Sequence, residues 1–521
     1  MSNNAQVRAW LDELGAADGP DDVMELARDV GPALLATPGL ALALVVGGEA
    51  DAARRLLLFQ FLLDDAGRDL ENQGRLGKGF LAEASGAIVG LAMAGALERD
   101  TAMALARAYA AAGVDAPECL AAFIVGDAAE MEETAEFADE FDTVLDKLRE
   151  DAGGDDYMLH AVLNEMLGAI PATLRAGLVH RVAGRDESWC GRLALYWLLD
   201  AAPEVRLAAA DGIGERAGRR ALDAAAPLLL VRGWMPADDA RTAVDALLGG
   251  VHRPELGASV ECRALRPARL LGSLPDGSGS QSLAVELDGE DGPAAALVLL
   301  KAGQGVKDAF VAAGRRAIDA VREQAEESAC TELAWETLEP VLSAALAEGL
   351  SAGRPPPPGL IEVAECCGLT ALRPRPMPAR AWLAHVDPDG AIAALPADER
   401  ERLVGASARW PLCHPLVETW FEGTAVVAAA LEGADSLRQA EAGLWEAIGE
   451  QRGFWALLML KSALVLKAGG EDAEWRSFAA TGAALLDGRP LRKVPVMECI
   501  FEASIAAWRA EERGPGDGGP E

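Results

Sequence analysis

Apolar residues recur at three- and four-residue spacing along most of the chain, a period that predicts amphipathic helices. Residues 1 to 257 read this way, with short Gly and Pro breaks between segments. Pro20, Asp21 and Asp22 mark a helix start, where the dipole favours acids. Ala52 to Leu63 is strongly apolar, and Gly67 to Gly79 reads as a polar loop. Phe80 to Leu97 carries Gly86, Gly90 and Gly95, a spacing that predicts tight packing between helices. Ala128 to Glu150 reads as an acidic helix with a solvated face.

The period changes in the middle. Val260, Cys262 and Ala264 alternate with Glu261, Arg263 and Leu265, and Leu283, Val285 and Leu287 alternate with Ala284, Glu286 and Asp288. Alternation on both sides of the Asp276–Gly277 turn predicts two half-buried antiparallel strands. Ala295 to Leu300 is a continuous apolar run, as expected of a strand covered on both faces. From Val306 the pattern reads as a helix, with Phe310, Ala313, Ala317 and Val321 as one stripe and the pairs Arg315–Asp319 and Arg322–Glu326 on the other. Prolines then cluster at 355–358 and at 374, 376 and 378, and helical periodicity returns. Trp410, Trp420, Trp445, Trp455, Trp475 and Trp508 fall inside that last pattern and read as packing.

The expected fold is therefore mainly α. It comprises a helical repeat-like domain over 1–257, a small β-rich insert at about 258–302 with covering helices to 352, a proline-rich linker over 353–379, a C-terminal helical region over 380–511 and a disordered acidic tail over 512–521.

Leu199 to Ile213 contains Asp200, Pro203, Val205, Arg206 and Ala209 in an order that resembles the inter-helix turn and second helix of a HEAT repeat. The resemblance implies stacked helix pairs forming an α-α superhelix. It also implies that Asp and Arg form a ladder between neighbouring repeats, with Val205 in the core. Val205, Ala209 and Ile213 fall on one helix face. Pro171 with Arg175, Pro203 with Arg206 and Pro236 with Arg241 recur at arginine spacings of 31 and 35 residues. The proline common in the family's first helix is missing, and Arg192 stands about there. The resemblance covers roughly a fifth of the chain and implies an architecture, not a ligand.

Composition narrows the function. The chain has 521 residues, 51% of them hydrophobic, and a formal charge of −35. That charge argues against general nucleic-acid binding and against an anionic membrane surface. Eight cysteines without a CxxC pair read as reduced thiols, the first residues lack the pattern of a signal peptide, and no uncharged apolar run is long enough to span a bilayer. A cytoplasmic location is expected.

Candidate chemistry is sparse. The expected junction of strand, Gly303, Gly305 and helix would present free backbone N–H groups to an anion, with Lys301 and Lys307 beside it. From Arg253 to Arg316 the eight basic and eight acidic residues balance, unlike the rest of the chain. Ser278, Ser280 and Ser282 sit in an expected hairpin connection with no base in view. Cys413 with His414, and Cys366 with Cys367, are dense soft-ligand spots without a second pair at zinc-site spacing. No metal or cofactor is expected. The leading expectation is a non-enzymatic protein–protein interaction or scaffold protein with an unidentified protein partner. The alternative is an enzyme or sensor binding a small anion at Lys301, Gly303, Gly305 and Lys307.

Overall fold

A computed structural model describes residues 10, 13–17, 19–35, 52–128, 135–168, 170–219, 225–250, 265–289, 292–432 and 434–513. The alternation at Val260, Cys262 and Ala264 and the tail from 514 onward lie outside the described residues, as does part of the acidic helix. The chain is mainly α with one small antiparallel sheet. It divides into two compact units, one of Met1–Arg175, Gly423–Glu432 and Ser504–Glu521, the other of Ala176–Glu422 and Gly433–Ala503.

In the first unit, helices Ala52–Glu71, Leu76–Met93 and Arg99–Ala111 meet at Phe59, Phe80 and Tyr109, whose rings lie 6.1 to 6.2 Å apart. Each ring is buried, and aromatic contacts at such distances add about 0.5–1.5 kcal/mol beyond area burial. The expected polar loop at 67–79 is mostly helix. It narrows to a turn at Asn72–Gln73, where Gln73 takes a left-handed φ of 58°. The expected tight packing at Gly86 and Gly90 is absent: among the described residues nothing lies within 4 Å of a Cβ placed at either. Leu76–Met93 is, by length and composition, long and apolar enough to cross a membrane, and 22% of it is buried. It carries Lys78 and Glu83, so it is not an uncharged run of the kind the sequence lacks.

In the second unit, helices Ser188–Trp197, Pro203–Arg219, Ala225–Arg232 and Asp239–Gly250 follow in sequence. Val205, Ala209 and Ile213 are buried on one face. Each large aliphatic side chain so buried contributes about 1.5–3 kcal/mol. Arg206 is buried too. Its guanidinium donates to Asp238 Oδ2 at 2.7 and 2.9 Å, 32 residues on, and to the carbonyls of Asp200 and Ala201.

The sheet has five strands: β1 (Arg266–Gly272), β2 (Ser280–Asp288), β3 (Ala294–Lys301), β4 (Gly305–Ala313) and β5 (Thr331–Leu333), in the order β4-β3-β2-β1-β5. It is larger than expected and reaches 333. The helix expected from Val306 is strand β4, paired with β3 from Lys301↔Gly305 to Ala294↔Ala313. The helix starts later, at Arg315, and buries Ile318, Val321 and Ala325 against Leu271, Ala284 and Ala295. Helices Leu338–Ser351 and Gly359–Cys366 pack against β4. The residues on both sides of 353–379 belong to one unit, and that stretch holds the buried Gly359–Cys366 helix, so it is not a linker between units.

The hairpin tip between β1 and β2 is held from outside the sheet. Asp276 Oδ1 accepts from Ser278 N, Ser278 Oγ and Ser280 N, which closes the turn. Gly277 N donates to Thr419 Oγ1, and a Cβ at Gly277 would stand 1.8 Å from the Thr419 carbonyl oxygen, so only glycine fits. Trp420 Nε1 donates to Pro275 O at 3.1 Å.

Candidate functional site

Lys301, Gly303, Gly305 and Lys307 do fall together, but at the hairpin turn between β3 and β4 rather than at a helix N-terminus. Without that helix end, the free N–H groups and positive dipole on which the anion reading rested are missing. Gly303 N donates to Glu348 Oε2 at 3.1 Å, so one of the chain's own carboxylates occupies the donor. Gly305 has φ +88°, and a Cβ there would come within 2.6 Å of the Ala345 carbonyl oxygen, which explains the glycine by close helix contact. Lys301 is buried and Lys307 half-buried. Three residues with glycine between two apolar runs are a hairpin signal, and Val306 and Val311 favour strand.

Buried charge elsewhere in this unit is neutralised locally. Glu286, in the middle of β2, receives a bidentate Arg322 at 2.7 and 2.9 Å, which holds its carboxyl below the usual range. Arg192 lies between Glu362 and Glu365, and Tyr196 donates to Glu362. Lys461 is almost wholly buried, 4.0 Å from Glu348 and 5.5 Å over the Trp382 ring; desolvation pulls its ammonium below the ordinary value. Glu422 is buried beside Trp455, whose Nε1 donates to it at 3.0 Å, and burial pushes its carboxyl up to about 6.

The exception is a cleft of about 510 Å³ in the C-terminal helices. One wall is the Ala397–Ala406 helix and the short Trp410–Cys413 helix, and the other is the start of the Asp472–Leu486 helix. The walls are tied together by Ser477 Oγ, which donates to Leu403 O at 2.8 Å. Trp410 lines the cleft and is stacked on Phe478 at 3.6 Å and 8°. Trp420 and Trp455 are buried behind it, so these tryptophans pack as their spacing implies.

The polar lining is mixed. His414 Nε2 lies 2.9 Å from Glu474 Oε2, close enough for an ion pair but off the line of a hydrogen bond, so the buried nitrogen keeps an unmet bonding capacity. The ring edge rests on Phe478. Asp472 Oδ1 accepts from Trp475 Nε1 at 3.2 Å, and Arg402 stands 3.6 Å from Glu399 one turn away. Arg409 and Arg476 are different. Among the described residues neither forms an ion pair, and Arg476 Nε is buried with no hydrogen-bond acceptor. Arg476 rests on the neighbouring Trp475 ring at 5.6 Å. Cys413, exposed and free, also lines the cleft. Among the described residues no group of three or more His, Cys, Asp or Glu could hold a metal.

Sequence reasoning had singled out Cys413 and His414 only as possible metal ligands. Glu474 and Arg476, which complete their surroundings, lie about sixty residues further on, and no local pattern links the two segments.

A curated relative, the uncharacterized protein y4lR of Sinorhizobium fredii (strain NBRC 101917 / NGR234), is 32% identical over 457 residues, covering 86% of this chain and 88% of the relative. The chain belongs to the y4lR family. Three y4lR family profiles match it: the N-terminal domain at residues 4–117, the second domain at 171–253 and the C-terminal helical domain at 380–509. The cleft lies in the y4lR C-terminal match, and the Arg206–Asp238 pair in the second-domain match. The sheet lies between the second and third matches. No solved structure matches the chain.

Proposed function

We propose that this y4lR-family chain is a non-enzymatic interaction or scaffold protein whose partner engages the C-terminal cleft. The observation that carries the reading is the pair of arginines that form no ion pair among the described residues, Arg409 and Arg476, at a cleft lined by Trp410. A guanidinium does not titrate in the physiological range, so it holds an anionic group without passing a proton. Arg and Trp are also the residues most enriched at the energetic centres of protein interfaces.

A HEAT-like arrangement of the preceding helices fits the same role. The reach of Arg206 to Asp238, 32 residues on, supports it, as a single Asp–Arg contact of the kind the resemblance implies between repeats. Stacked helix pairs offer extended surface for partners. The alternative of an anion site at Lys301, Gly303, Gly305 and Lys307 draws no support from the geometry, because Glu348 already accepts from Gly303.

The test is affinity capture from native lysate, comparing the wild-type chain with the Arg409→Gln/Arg476→Gln double variant. A stoichiometric partner held by the wild type and lost by the variant is the expected result. Equal recovery by both, or no stoichiometric partner with either, defeats the reading.

A further inference from the structure

We infer that the cleft takes a monocarboxylate with an apolar body, its carboxylate held by Arg409 and Arg476 and its body set against Trp410 and Leu403. This rests on the reading of the cleft as the binding site.

Three observations carry it. The Arg476 Nε donor is buried without an acceptor. A buried donor left so costs about 1–3 kcal/mol, so this side chain is not spent on holding the fold, and its terminal nitrogens, which are not buried, are the donors an incoming oxygen can reach. A guanidinium fork matches a planar carboxylate through two parallel hydrogen bonds. Next, Leu403, Ala406, Trp410 and Ala473 give the cleft apolar wall, and its volume of about 510 Å³ suits a body of ring size or a little larger.

The third observation limits the charge. Glu399, Asp472 and Glu474 line the same cleft, in a chain of net charge −35. A single negative charge can be balanced by the two arginines of this lining, whereas a dianion such as phosphate meets these carboxylates as well. A carboxylate of this kind can come from a free aromatic acid or from the C-terminus of a peptide ending in an aromatic residue.

Calorimetric titration of the full chain tests this. The probes are 3-phenylpropionate, its neutral amide, inorganic phosphate, and a tripeptide ending in Phe with either a free or an amidated C-terminus. The acid is expected to bind saturably, with the amide and phosphate each at least tenfold weaker. Arg409→Gln/Arg476→Gln should weaken the acid at least tenfold and leave the amide unchanged, with a melting curve confirming that the variant folds. The tighter of the two carboxylates, free acid or peptide terminus, names the source. Amide binding as tight as acid binding overturns the carboxylate assignment and leaves the cleft as a binding site. Acid binding that survives in the double variant overturns the role of the two arginines. Absence of heat from every probe overturns the ligand class, and only if partner capture is also unchanged in the double variant does the proposed function fall with it.

Discussion

Arg206 and Arg476 make an instructive pair. Both sit on helices of the same unit; Arg206 is buried as a whole, whereas Arg476 is half-buried with its Nε shielded from solvent. Arg206 spends its donors on Asp238 and on the carbonyls of Asp200 and Ala201. Arg476 has a buried Nε that nothing in the described chain accepts from. A fully satisfied buried cation fixes the relation of neighbouring helices, whereas one left short is a cost to the fold that a ligand can lift. The difference separates residues that hold the architecture from residues free to meet something else.

The contrast can be broken by measurement. The largest effect belongs to Arg206. Arg206→Ala removes three attachments at a buried position and should cost about 3 kcal/mol of stability by urea denaturation. A loss under about 0.5 kcal/mol would put Arg206 in the same class as an ordinary surface residue.

Two buried titratable groups sharpen it next, because burial shifts them in opposite directions. Glu422 is held up at about 6 by burial, so the folded chain binds its proton before the unfolded chain does. Its contribution is full below about pH 4.5 and is lost as pH rises through 6, about 2 kcal/mol in all. Glu422→Gln, which keeps an oxygen for Trp455, should regain up to about 2 kcal/mol at pH 7 and nothing at pH 4. A variant no more stable than wild type at pH 7 would show the carboxylate to be well solvated or paired.

His160 runs the other way. Burial holds its imidazole down to about 3, so the unfolded chain takes the proton first as pH falls below 6.5. Stability from this group is intact above pH 6.5 and falls by about 1.4 kcal/mol per unit below it, or about 2 kcal/mol by pH 5. Replacing it by Gln should flatten that acid limb, and a limb of unchanged slope would assign the loss to other groups. The smallest effect is expected at Arg476. Arg476→Leu should move stability by no more than about 0.5 kcal/mol, or raise it, since no bond is lost. A loss of 2 kcal/mol or more would mean that the guanidinium is structural and would remove the basis of the contrast.

Much of this fold could be read from residue spacing. Val205, Ala209 and Ile213 lie on the buried helix face their spacing implies, and Leu283, Val285 and Leu287 are buried on the strand that alternation marks, although Ala284 and Glu286 of its other face, expected to be open, are covered too. The failure at Val306 has a physical cause. An edge strand covered by two helices shows neither clean alternation nor a clean helical stripe, and Ala317 and Val321 of the next helix lent it a false period. The cleft was legible only in fragments. Cys413 and His414 stood out as adjacent, but the partners that give them meaning come from the start of a helix about sixty residues on. Arg476 carried no signal, because an unpaired arginine looks the same in sequence as a solvated one.

The seating of Gly277 under Thr419, and of the Trp420 indole on the Pro275 carbonyl, has a bearing on how the chain is made. The two halves of that contact are 145 residues apart, so all five strands leave the ribosome well before their clamp exists. During that interval the β1–β2 tip lacks its clamp, and the nascent sheet depends on its own ladder, on the Arg315–Glu327 helix and then on the two helices that pack against β4.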